Sequence, residues 1–129
     1  EVLASDNLYY MAVYGDYVYA TGKNHGLHII NVSDPDNPVE VNTMYDTVDI
    51  FFRDIKIIEN YAFIATRDSG LVILDLSGDP ENPEEIGAFF PPETTDNIIT
   101  VDVLGNYAYY AELNSGDGAR EFRVLRLGD

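Results

Sequence analysis

The side chains with types and spacing suited to chemistry are Lys23, His25, Asp46, Asp49, Arg53, Asp54, Arg67, Asp68, Asp96, Glu112 and Asp117. Three scarce cations among carboxylates would build a polar, charge-paired mouth able to hold a ligand. The alternative is a set of solvated loops with weak surface ion pairs. His25 and His28, in "HGLH", are three apart. On a helix they could share a metal, but His28 opens a β-type run, where odd spacing sends side chains to opposite faces. A loop histidine and a strand-surface histidine are the simpler reading. Near the end, "NSGDGARE" (114–121) has the look of a calcium loop. The first and third positions of an EF-hand would fall on Leu113 and Ser115, so the pattern fails. Glu112 and Asp117 are left as weak candidates for an irregular Ca2+ site, and no other cofactor is expected.

Nucleophilic and phosphate chemistry find no support. The chain has no cysteine and no Gly-x-Ser-x-Gly elbow. Ser33 and Ser77 stand in repeated turns, where hydrogen bonding accounts for them. No strand–GxGxxG–helix or Walker loop occurs. Carboxylates are plentiful, but 23 acidic residues make chance pairs certain. Such pairs become catalytic only when burial separates their pKa values. The net charge of −16 excludes the basic footprint that nucleic acid requires. No run of 18 apolar residues is present, so no membrane insertion is expected.

The elements that must carry these residues come from an internal repeat. Tyr17, Tyr61 and Tyr107 sit in "GDYVYAT", "ENYAFIAT" and "GNYAYYAE". An alternating apolar stretch precedes each: "MAVYG", "IKIIE" and "VDVLG". A polar loop follows ("GKNHG", "RDSG", "LNSGDGAR"), then a β-rich run: "LHIINV", "LVILDL" and "FRVLRL". In the first two copies an Asp-Pro-x-Asn-Pro turn leads into a fourth run, "VEVNTMY" or "EEIGAFF". The runs are short and rich in Val, Ile, Tyr and Phe, as strands are. Gly-Asp, Glu-Asn and Gly-Asn ahead of the tyrosines suit tight hairpins that need positive φ. Proline cannot donate to a ladder, so Pro35, Pro38, Pro80 and Pro83 bracket turns. The competing arrangement is an all-β sandwich with accidental similarity.

Units of four strands and 40–50 residues are the size of propeller blades. "GLHIINVSDPDNP" and "GLVILDLSGDPENP", each preceded by "YVYAT" or "YAFIAT", resemble the LVIVD repeat. That resemblance implies an all-β, β-propeller fold, in exported or surface-displayed bacterial and archaeal proteins. It carries no catalytic residues. The expected organisation is a single propeller segment, with repeats at about 9–52, 53–98 and 99–129. Residues 1–8 are the candidate outer strand that closes the third repeat. Three blades fall short of the usual four to eight. A two-copy, six-bladed ring or the remainder of a larger chain would complete them.

Loops joining strands one to two and three to four should share one side of such a ring. They are short and repeat closely. The opposite side, built from the two-to-three loops and the links "DTVDIFFRD" (46–54) and "PPETTDN" (91–97), varies. Variable loops are where binding concentrates. The expectation is therefore a non-catalytic, extracellular or surface module that binds protein or glycan through that face. The alternatives are a structural spacer that assembles through its blades, and a hydrolase or lyase with acids at the propeller mouth.

Overall fold

The computed structural model describes residues 8–22, 26–45, 52–66, 70–89, 96–114 and 118–128. All regular structure among them is β, in three antiparallel sheets. The first contains β1 (Leu8–Tyr14), β2 (Tyr17–Gly22), β3 (Leu27–Asn31) and β4 (Val39–Met44). The second contains β5 (Phe52–Ile58), β6 (Tyr61–Thr66), β7 (Gly70–Asp75) and β8 (Glu84–Phe89). The third contains β9 (Asp96–Leu104), β10 (Tyr107–Asn114) and β11 (Arg120–Arg126). Each is a meander in which neighbours in sequence are neighbours in the ladder. These are blades of a propeller-type repeat, and the array does not close on itself. Residues 1–7 of the expected closing strand lie outside the described residues; Leu8 belongs to β1 and pairs with Gly22.

The hairpin chemistry read from the sequence recurs three times. Gly15, Glu59 and Gly105 have φ of 58°, 56° and 60°. Glu59 is thus a non-glycine residue held in the left-handed region, where its two counterparts are glycine. The proline-bracketed turns also match. The Asn37 amide donates to the Asp34 carbonyl and the Asn82 amide to the Asp79 carbonyl, both at 3.0 Å. The carboxylates of Asp34 and Asp79 accept the amides of Asp36 and Glu81.

Two irregularities repeat without any sequence signal. In every first strand the ladder slips by one residue near its start, between Leu8 and Tyr10, between Phe52 and Asp54, and opposite Ala111 and Glu112. In blades one and two the fourth strand bulges at Val41 and Ile86. Bulges bend and twist a strand.

Strand alternation sorts side chains to two faces of each blade. The front of blade one (Tyr19, Leu27, Ile29) packs on the back of blade two (Ile55, Ala62, Ile64, Val72, Leu74) in one apolar cluster. The front of blade two (Phe63, Ala65, Leu71) packs on the back of blade three (Val101, Val103, Ala108, Tyr110) in a second. The core is therefore a pair of seams between blades, as a strand face buries apolar side chains only against another layer.

Candidate functional site

Of the candidate residues, Lys23, His25, Asp46, Asp49, Arg67, Asp68 and Asp117 lie outside the described residues. Arg53, Asp54, Asp96 and Glu112 lie in strands, Arg53 at the register slip of β5. Arg53 and Asp54 belong to β5 rather than to the preceding link, because the strand already begins at Phe52, paired with Thr66. Asp96 opens β9 opposite Asn114. The four are not gathered into one described cluster.

Asp54 is 5 % exposed, and its carboxylate is a clamp between blades. Oδ1 accepts the Ile55 amide at 2.9 Å. Oδ2 accepts the Thr100 hydroxyl at 2.7 Å and the Val101 amide at 3.1 Å. Three donors on one carboxylate explain how a charge tolerates burial. The amides belong to first strands of adjacent blades, so the group ties the second seam. The first seam uses a neutral device: Thr21 donates its hydroxyl to the carbonyls of Tyr10 and Arg53 and accepts the Tyr10 amide. Arg53 places its guanidinium 5.9 Å from the centre of the Tyr9 ring. It is a cation over an aromatic face of the preceding blade.

Glu112 is buried and accepts Arg123 Nε at 2.6 Å, while Arg123 also reaches Glu121 at 2.7 Å. The hydrogen bond from Arg123 to Glu112 and the charges of Glu112 and Glu121 hold the guanidinium above its ordinary value. Among the described residues no three or more His, Cys, Asp or Glu side chains are placed to hold a metal ion. Glu112 therefore has no described cluster for Ca2+ around it, and its companion candidate Asp117 is outside the described residues.

His28 is buried, not on the strand surface. Its Nδ1 meets Glu40 Oε1 at 2.5 Å, and Thr43 donates its hydroxyl to the same oxygen at 2.8 Å. Burial alone would raise the Glu40 carboxyl. The hydrogen bonds from His28 and Thr43 and the charge of His28 outweigh it, and the group titrates below its ordinary value. It is an acid locked in its charged form, unlike a general acid, whose proton must be retained near neutral pH. The ladder pairs His28 with Thr43, and the bulge brings Glu40 within reach. Sequence reasoning lacked that bulge.

A second set of polar contacts was also missed. Tyr17 donates its hydroxyl to Glu81 Oε2 at 2.8 Å, and Tyr19 to the Pro80 carbonyl at 2.6 Å. Asn42 Nδ2 donates to the Glu81 carbonyl at 2.8 Å. Blade one thus cups the proline turn of blade two. The hydrogen bond to Glu81, then burial, raises the Tyr17 hydroxyl; burial first raises that of Tyr19. At the next seam the equivalent place is a cavity of about 510 Å³, lined by Tyr61, Phe63, Ile73, Ile86, Val103 and Leu127 among others. Phe63 stands where blade one has Tyr19, and Gly87 where it has Asn42, by ladder register. Of the three donors by which blade one holds the turn, this place keeps only Tyr61. The visible signal was the Tyr19-to-Phe63 difference between otherwise matched repeats.

A search of curated proteins returned no match to the chain. The family model for the LVIVD repeat matches at residues 10–47, 52–90 and 99–116. Those matches cover more than half of the chain and fall on the three sheets, the third on β9 and β10 without β11, so the protein belongs to the LVIVD-repeat family.

Proposed function

We propose that this chain is a non-catalytic β-propeller interaction module of an exported or surface-displayed protein, and that it engages protein or glycan through its variable loops. The observation that carries this reading is the use made of the buried ionisable side chains. Asp54 ties two blades, Glu112 holds Arg123, and His28 holds Glu40. Each is engaged in holding strands, so its charge is spent on the architecture and not on a reacting group. The repeated loops are turns closed by their own hydrogen bonds, which leaves the divergent loops as the place for recognition. With a net charge of −16, a partner rich in cations or neutral hydroxyls fits better than a polyanion.

The test is a glycan array, run beside a panel of immobilised basic and neutral proteins and probed with labelled chain. A second chain, in which residues 113–120 are replaced by the RDSG loop of the second repeat, is the comparison. Binding that the loop exchange removes supports the reading. Binding that survives exchange of each variable loop overturns it. A structural role in assembly is the second reading, favoured by the apolar side chains exposed on the two end blades.

A further inference from the structure

Phe122, Val124, Met11 and Val13 are exposed where the repeat buries their counterparts wholly or, at Ile57 and Ile73, in part. Ladder register makes Phe122 the equivalent of Leu27 and Leu71, and Val124 the equivalent of Ile29. Leu27, Leu71 and Ile29 are 0 % exposed, whereas Phe122 is 71 % and Val124 is 52 % exposed. These are front-face positions. On the back face, Met11 is the equivalent of Ile55 and Val101, and Val13 the equivalent of Val103. Ile55, Val101 and Val103 are 3 %, 1 % and 7 % exposed, whereas Met11 and Val13 are 63 % and 64 % exposed. The front of blade three and the back of blade one are thus the two halves of a seam that the molecule already makes twice. Tyr109, at the position of Tyr19 and Phe63, lies stacked on Phe122 at 6.1 Å and completes the front half.

We infer that these two faces meet between two copies of the chain and close a six-bladed ring. The occupant of each face is read from the fold: what packs on a blade front in this protein is the back of the following blade. Blade one of a second copy offers that back in the same repeat. Such a contact is head-to-tail, and head-to-tail contacts make rings only when the rotation closes. Two copies of these three blades make six, within the roughly four to eight of a closed propeller. Two copies then share two identical seams, so each seam needs only half of the about 1,200–2,000 Å² typical of a stable interface. The same charge on both copies opposes the union, so it strengthens as salt rises. This surface is distinct from the variable loops, and either reading can fail without the other.

Sedimentation equilibrium of the 129-residue chain tests the inference, with two variants: Met11→Glu with Val13→Glu on the back, and Phe122→Glu with Val124→Glu on the front. The unmodified chain is expected at twice 14.4 kDa. Each variant alone should bind itself at least ~100-fold more weakly and sediment at 14.4 kDa, with the far-ultraviolet circular dichroism unchanged. An equimolar mixture of the two variants should associate more strongly than either alone, through the single seam that joins the intact front of one to the intact back of the other, while the seam between the two altered faces stays open. A monomeric unmodified chain overturns the inference. So does a back-face variant that remains a dimer, which would mean that blade three pairs with itself.

Discussion

Replacing Asp54 with alanine should unfold this protein far more readily than its single missing carboxylate suggests. The substitution strips the acceptor from the Ile55 and Val101 amides, both buried, and from the Thr100 hydroxyl. A buried donor left unpaired costs about 1–3 kcal/mol, so the two amides together cost about 2–6 kcal/mol. Thr100 is exposed and can turn to water, which adds little. A loss of about 4 kcal/mol is a large part of the roughly 5–15 kcal/mol typical of a domain. With a urea slope of about 2 kcal/mol/M, the midpoint should fall by about 2 M. The milder change Asp54→Asn keeps one side-chain acceptor but turns an NH2 toward the remaining donors, so it should lose about 1–3 kcal/mol. Urea titration followed by circular dichroism is the assay, with Glu84→Ala, an exposed carboxylate, changing stability by no more than about 0.5 kcal/mol. If Asp54→Ala costs no more than that control, the carboxylate does not clamp the second seam.

The other expectations follow from local geometry and titration. Glu59→Gly removes a side chain from a φ of 56°, where both sister hairpins have glycine. Relief of about 1–2 kcal/mol of left-handed strain, less the entropy of glycine, should raise the melting temperature by about 2–4 °C; a fall would refute the strain. Gly26→Ala places a Cβ 2.1 Å from the Met44 carbonyl oxygen at a φ of 71°. A stability loss of about 3 kcal/mol or more by urea titration is expected, and an unchanged midpoint would contradict the packing. The Glu40 carboxyl titrates below its ordinary 4.5, because its bonds from His28 and Thr43 and the His28 charge outweigh burial. Its contribution is therefore present above 4.5 and lost as the pH falls through the lowered value. Urea midpoints of wild type and Glu40→Gln should differ at about pH 7 and draw together as the pH falls below 4.5; a constant gap would refute the assignment.

The blades were legible because their signals are local. Alternation, the Gly-Asp, Glu-Asn and Gly-Asn hairpins and the Asp-Pro-x-Asn-Pro turns each act within a few residues, and the ladders follow them. Asp54 and His28 were misread for one reason. Alternation tells which face a side chain takes, but not what the neighbouring blade or a bulge brings to it. Asp54 meets Thr100 across 46 residues, and Glu40 reaches His28 through a one-residue slip that no composition announces. The tyrosines show the same limit from the other side. Their regular spacing marked the repeat and its strands, yet Tyr17 and Tyr19 also use their hydroxyls to hold a turn more than 60 residues away. The variable loops proposed for recognition fall largely outside the described residues, and only loop exchange reaches them.

Small-angle scattering of the unmodified chain in moderate salt tests ring closure most directly. A compact body of two 129-residue copies should give a radius of gyration of about 18 Å. It should also give a forward scattering mass of twice 14.4 kDa. A radius of about 14 Å with a mass of 14.4 kDa would show three blades standing alone and contradict the account.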